Sequence, residues 1–157
     1  MKKMILTTTL YRLRKCHACK DRYAHLVDKL GPKWGDQDKI NLLDILKHNG
    51  IDDCLWAFRA VVEHPEGDQV MRLMAADFAE AVLPIFEKEY PEDDRPRKII
   101  QAARDFANGK ITDQEGDAAW AAAQAAAGDT AWDAAWGAAR EAALDAQAKI
   151  VRKYLRA

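Results

Sequence analysis

Read for the spacing of its apolar positions, the chain repeats at helical period almost throughout. The one β-like stretch, residues 4–9, is short and ends in three threonines. Those threonines are good N-cap residues, so residues 10–15 read as a short helix entered from them. Cys19, Tyr23, Leu26, Val27 and Leu30 then line one apolar stripe. Gly31-Pro32 stops it, because glycine relaxes the C-cap and proline cannot continue a helix. Residues 33–37 form a loop that holds Trp34.

Asp38 is placed to cap a helix over residues 39–49, ended by Gly50. Asp52 is placed to cap the next, with Ile51, Leu55, Phe58 and Val62 on one side. After the loop 64–67, Asp68 opens a longer helix to about Tyr90, with Met71, Met74, Phe78, Val82 and Phe86 as its buried face. Pro84 lies inside it, removes one backbone bond and predicts a kink. Asp94 before Arg95-Pro96 has the form of an N-cap with proline in the first turn. Ile99, Ala103 and Phe106 face inward from that helix, Asn108-Gly109 closes it, and Thr112 with Glu115 makes a capping box.

The last segment is compositionally distinct. From Ala118 to Ala148, 17 of 31 residues are alanine, with Trp120, Trp132 and Trp136 among them. Alanine is the strongest helix former. Trp132, Trp136, Ala139, Ala143, Ala146, Ile150 and Tyr154 fall close to one line on a helical wheel, a core-facing stripe. A single helix over residues 113–155 would run roughly 65 Å, far beyond the roughly 15 Å radius of gyration of a domain this size. Gly128-Asp129-Thr130 offers a break, which favours an antiparallel helical pair over one long rod. The expectation is an all-α, compact bundle of about seven or eight helices, ending in that Ala/Trp hairpin or long helix. It forms a single domain, 1–157, with sub-modules at residues 1–50 and 51–157.

Composition agrees with a globular chain: 49% hydrophobic and 31% charged residues, with a net charge of −1. A near-neutral chain gives no global electrostatic case for nucleic acid or an anionic membrane. The N-terminus carries two lysines but no apolar run of signal-peptide type. No stretch approaches the roughly 18 apolar residues of a membrane span. Three cysteines, an odd number, agree with reduced thiols. The expected compartment is therefore cytoplasmic.

Cys16-His17-Ala18-Cys19 has the spacing of half a zinc site, but a second ligand pair at matching spacing is missing. Buried or half-buried thiols at a helix start are the plainer reading, and no cofactor or metal is expected. Lys2, Lys3, Arg12, Arg14, Lys15, Lys20 and Arg22 face only Asp21 within the first 23 residues, a local charge of +6. Such a patch suits phosphates or an acidic partner. No DNA-binding motif surrounds it, so nucleic acid is the lesser reading. The carboxylates Glu87, Glu89, Glu92, Asp93 and Asp94 flank a turn, with no nucleophile-like residue beside them, which speaks for helix ends rather than hydrolysis. Trp56 with Arg59, and Arg72 with Asp77 and Glu80, sit at spacings that allow stacking or ionic contacts. Tryptophan and arginine are enriched at binding hot spots. On that ground Trp34, Arg95, Trp120, Trp132 and Trp136 are the candidate partner-binding residues.

Four blocks together resemble a known family. They are Asp53-Cys-Leu-Trp-Ala-Phe-Arg-Ala-Val, then Arg72-Leu-Met-Ala-Ala-Asp-Phe-Ala-Glu-Ala-Val-Leu-Pro-Ile-Phe-Glu-Lys, then Asp94-Arg-Pro-Arg with Ala102-Ala-Arg-Asp-Phe-Ala-Asn-Gly, and the Ala/Trp tail. In order and spacing they are similar to the Imm-5-like putative immunity proteins, helical proteins of bacteria and their phages, from Asp53 to the end. The stretch from Leu13 to Gly50 resembles a small helical module of phage-associated proteins. The resemblance implies a non-enzymatic inhibitor that neutralises a toxin by stoichiometric binding, with a toxin or a host defence protein as partner. A phage-encoded anti-defence protein that binds a host nuclease or sensor is the alternative it leaves open. Homo-oligomers are compatible with either.

Overall fold

The computed structural model describes residues 3–112, 114–116, 118 and 144–156. The chain is all-α in class, with one two-stranded sheet of two residues per strand. No described helix is long and apolar enough to cross a membrane. The chain divides into two compact units. One is Met1–Pro65 with Val151–Ala157, and the other is Glu66–Ile150. The Ala/Trp segment that carries Trp120, Trp132 and Trp136 lies outside the described residues, as does the choice between hairpin and rod.

The first unit is organised by its N-terminal extended segment. Met4 lies in a parallel bridge with Leu155: its N–H donates to the Tyr154 carbonyl at 3.0 Å, and its own carbonyl accepts from Arg156 N at 2.9 Å. Leu42 N donates to the Leu6 carbonyl at 3.0 Å. Strand β1 (Thr7–Thr8) pairs antiparallel with β2 (Ile40–Asn41), Thr7 opposite Asn41 and Thr8 opposite Ile40. Val62 N donates to the Thr7 carbonyl at 2.8 Å, and the buried Thr8 hydroxyl donates to the Ala60 carbonyl at 2.6 Å. A buried strand must satisfy its polar backbone groups, and here the partners come from residues 40–42, 60–62 and 154–156. Leu6, Ile40, Leu42 and Val151 are fully buried around it.

Thr9 then caps α1 (Leu10–Lys15), its Oγ1 accepting Arg12 N at 3.1 Å. The end of α1 has an unusual residue. His17 N donates to the Arg14 carbonyl and Ala18 N to the Leu13 carbonyl, the hydrogen-bond pair of a Schellman ending. His17 occupies the left-handed position at φ 60°, where glycine is usual. Helix α2 (Lys20–Leu30) follows and ends at Gly31, φ 85°. Of the stripe expected on it only Leu26 is buried; Tyr23 and Leu30 are half-buried, and Cys19 and Val27 are exposed.

The expected cap of the third helix is corrected. Helix α3 covers Leu42–Asn49, and its cap is Asn41, whose Oδ1 accepts Leu43 N at 2.9 Å. Asp38 instead closes a turn by accepting Gly35 N at 2.7 Å. Ile40 and Asn41 are held in the sheet, so the helix cannot start earlier. Helix α4 (Ile51–Ala57) begins on Gly50 at φ 88°, and Asp52 lies in its first turn rather than at the cap.

In the second unit, α5 (Gly67–Glu89) packs on α6 (Arg95–Ala107). Asp68 is in the first turn of α5, whose cap position is Glu66, and the helix continues through Pro84. The buried face is Val70, Leu73, Met74, Ala76, Leu83 and Phe86. Met71, Phe78 and Val82, expected inside, are half-buried. Likewise α6 buries Pro96, Ile100 and Ala107, with Ile99 and Phe106 half-buried. The cause lies at the contact: Ala76, Leu83 and Ile100 form one cluster with Ala103 packed on it. The covered side of α5 therefore runs through Val70, Leu73, Ala76 and Leu83, turned about the helix axis from the stripe of Met71, Phe78 and Val82. Asp94 is the positional cap of α6, but its carboxylate pairs with Lys98 at 2.8 Å while Asp93 accepts Arg95 N at 3.1 Å. The expected capping box is present: Thr112 N donates to Glu115 Oε2 at 2.8 Å, and Glu115 N to Thr112 Oγ1 at 3.3 Å.

Unfolding of three variants in urea checks this account. Leu6→Ala opens a cavity at the hub of the first unit and should cost about 2–5 kcal/mol. Helix α6 ends as α1 does, with Gly109 at φ 67° in place of His17. His17→Gly should therefore stabilise by about 1 kcal/mol, and Gly109→Ala should destabilise by about the same, since nothing lies within 4 Å of an added Cβ and only backbone strain remains.

Candidate functional site

The thiols are divided by burial. Cys16 is half-buried, its Sγ 3.7 Å from the Arg59 carbonyl, and Cys19 is exposed at the start of α2. Cys54 is buried, its Sγ 3.4 Å from the Leu42 carbonyl, and burial pushes its thiol up to about 12. Among the described residues no group of three or more His, Cys, Asp or Glu could hold a metal ion.

The N-terminal arginines are committed to internal partners. Arg12 donates from Nε to the Ala60 carbonyl at 3.0 Å and from a terminal nitrogen to the Val61 carbonyl at 2.8 Å. Arg14 holds Asp36 through two bonds, at 2.5 and 2.7 Å, and donates to the Tyr23 hydroxyl at 2.8 Å. Asp36 and Tyr23 together raise the Arg14 pKa. Arg22 Nε lies 2.9 and 3.0 Å from the two Asp53 oxygens, and Arg22 also donates to the Asn49 carbonyl at 3.0 Å. A run of basic residues that reads as a phosphate-binding face in sequence is, at these three positions, a set of struts between helices.

The Arg22 strut borders a cleft of about 220 Å³ between the start of α2, α3 and α4. Its floor is apolar: Leu13, Leu26, Ile45 and Ala57 are all buried. Half-buried Trp56 forms one wall, with the Arg59 guanidinium stacked 5.0 Å from its ring as its sequence spacing suggested. The rim carries Cys19, Arg22, Asp52 and Asp53. Asn49 cross-links this rim, donating to the Arg22 carbonyl at 2.9 Å and to Asp53 at 2.8 Å. Both of those partners are acceptors, which fixes its amide orientation and leaves Oδ1 buried without a hydrogen-bond partner among the described residues. Cys19, Arg22, Trp56 and Arg59 were visible as chemistry-bearing residues in sequence. Asn49 and Asp53 were missed as site residues, because no local pattern links Arg22 to a carboxylate 31 positions away.

In the second unit the charge network centres on Arg104, which binds Asp77 at 2.7 Å and Glu80 at 2.6 and 3.0 Å. Arg72, expected to serve those carboxylates, lies instead over the Phe106 ring at 4.4 Å. Arg95 is exposed at the start of α6, held by Asp93 with Nε to Oδ1 at 2.6 Å. Beside it the turn from Glu89 to Asp94 is acidic and carries exposed Tyr90. Of the candidate partner-binding residues, Trp34 is half-buried in the loop after α2, its indole N–H without a hydrogen-bond partner among the described residues. Trp34 and Arg95 belong to different units, and Trp120, Trp132 and Trp136 lie outside the described residues.

Comparison with known proteins adds one match. The family Imm-5 like putative immunity protein matches residues 65–150, more than half of the chain. That stretch coincides with the second unit, Glu66–Ile150. The block Asp53 to Val61 falls before it. No curated protein and no solved structure matches the chain.

Two outcomes follow from the electrostatics. A thiol reagent at pH 8 should modify Cys16 and Cys19 in the native chain and reach Cys54 only on unfolding, as counted by intact mass. Arg104 holds the Glu80 carboxylate below its ordinary value of 4.5. The stability this confers is complete above pH 4.5 and is lost as pH falls through the lowered value, because the unfolded chain then binds more protons. Arg104→Ala should cost about 1–2 kcal/mol at pH 7. It should also flatten the acid limb of a pH series of urea midpoints.

Proposed function

Because the chain belongs to the family of Imm-5 like putative immunity proteins, we propose that it is an immunity-type inhibitor that neutralises a toxin by binding it stoichiometrically in the cytoplasm. The observation that carries this reading is the coincidence of the family match with one compact unit, since a family that maps onto a whole folding unit brings its surface with it. The α5–α6 pair supports it as a scaffold. Ala76, Leu83, Ile100 and Ala103 pack together at its contact, and Arg104 ties the two helices through Asp77 and Glu80. A rigid helix pair loses little freedom on association, which favours affinity.

On this reading Trp34, Arg95, Trp120, Trp132 and Trp136 are the candidate partner-binding residues, the last three outside the described residues. Arg95 is exposed yet already positioned by Asp93, so little side-chain entropy is lost when it meets a carboxylate or a backbone carbonyl. The mechanism is occlusion, with affinity concentrated in a few anchors.

The test is co-expression with toxins encoded beside the gene. A 1:1 complex that survives gel filtration and restores growth is expected. Arg95→Ala should weaken that complex by about 10- to 30-fold, measured by calorimetry, as for a hot-spot arginine. If no neighbouring toxin is bound or neutralised, or if the chain instead co-purifies in a 1:1 complex with a host nuclease or defence sensor, the toxin reading fails.

A further inference from the structure

We infer that the cleft between α2, α3 and α4 in the first unit is a socket for one basic side chain, lysine or arginine, presented by a protein partner. This stands apart from the immunity reading, which rests on residues 65–150, whereas every residue bordering the cleft precedes position 58.

Size comes first. At about 220 Å³ the cleft is smaller than the roughly 300–1,000 Å³ of pockets that enclose a cofactor or a drug-sized ligand. It has room for one side chain. The floor then restricts which one. Leu13, Leu26, Ile45 and Ala57 offer no polar partner, so the portion laid on them must be apolar; Asn49, whose buried Oδ1 lacks a partner among the described residues, also borders the cleft.

The rim decides the far end. Three charged side chains border the opening: Arg22, Asp52 and Asp53. Arg22 and Asp53 neutralise each other through two hydrogen bonds, and Arg22 spends a further donor on the Asn49 carbonyl. Asp52 is exposed and makes no ion pair among the described residues. Arg22 also attracts Asp52, so one cation stands against two carboxylates and the mouth carries a net charge of −1. An acidic anchor would meet repulsion there, and a wholly apolar one would cover Asp52 without giving it a partner, which costs free energy. A lysine or arginine satisfies both conditions, laying its methylene stem on the floor and keeping its cationic head at the rim. Trp56 adds an apolar aromatic wall along the path of such a stem.

Cys19 on the rim supplies the test, by reversible disulfide tethering on the full chain. The background is Cys16→Ser, which keeps a hydroxyl donor facing the Arg59 carbonyl. Three disulfide probes of equal length carry arms ending in an ammonium, a methyl or a carboxylate. The Cys19 thiolate attacks the probe disulfide, forms the mixed disulfide and releases the other half as a thiol. The reading is the concentration of free thiol needed to strip half of each adduct, followed by intact mass.

The ammonium arm should resist about fivefold more thiol than the carboxylate arm, the scale of one partly exposed charge pair. That preference should fall to near unity in Asp52→Asn, whose exposed position leaves the fold intact by circular dichroism, and should shrink as salt is raised. Equal retention of all three arms would overturn the proposal. So would a preference for the methyl or carboxylate arm, or an ammonium preference unchanged by Asp52→Asn. Sedimentation of the untethered chain completes it: a dimer abolished by Asp52→Asn would make a second copy the occupant and overturn the assignment to another protein.

Discussion

The first unit depends on satisfying one buried strand. Residues 4–9 run through the middle of it, and a strand in that position must find partners for its backbone groups or forfeit the burial of Leu6 and its neighbours. Three separate stretches provide them: β2 and the residue after it, the 3₁₀ turn Phe58–Ala60 with the residues beyond it, and the end of the C-terminal helical segment. Side chains reinforce the same connections. Thr8 and Arg12 both reach the Ala60 carbonyl, and the Asn41 amide donates to the Arg156 carbonyl at 2.9 Å while its oxygen caps α3. The positions of α1, α3 and α4 follow from those bonds, and with them the walls of the cleft.

That dependence explains which parts of the fold were legible in the sequence. Several signals that act within four residues are legible: Thr9 before α1, Gly31 after α2, Asn108-Gly109 after α6, the Thr112–Glu115 box and the Trp56–Arg59 stack, whereas Asp52 and Asp68, expected as caps, lie in the first turns of α4 and α5. Asp38 failed as a cap because the strand claims Ile40 and Asn41 first, a long-range pairing that local propensity cannot express. The buried face of α5 runs through Val70, Leu73, Ala76 and Leu83, because the position of α6 and not the spacing of large residues within α5 decides which side is covered. Arg72 lost Asp77 and Glu80 to Arg104, whose approach depends on how two helices meet. The candidate site was legible only as loose residues. Cys19, Arg22 and Trp56 each stood out for their chemistry, but nothing local places them around one opening.

Charge in this protein is largely spent on construction. Arg12, Arg14 and Arg22 brace the first unit, and Arg97 and Arg104 clasp Glu87, Asp77 and Glu80 in the second. Bidentate arginine contacts fix geometry as well as charge. Such a scaffold presents the exposed Asp52 carboxylate at the cleft from a position that does not have to be found again on each encounter.

The Met4–Leu155 bridge has a consequence for biosynthesis. The two halves of that pairing are made about 150 residues apart, and at about 5–20 residues per second the ribosome needs roughly 8–30 seconds to travel between them. Throughout that interval Met4 lacks its backbone partners at Tyr154 and Arg156. The Met4 pairing therefore closes only after Leu155 has been made, however early the bonds to residues 40–42 and 60–62 form.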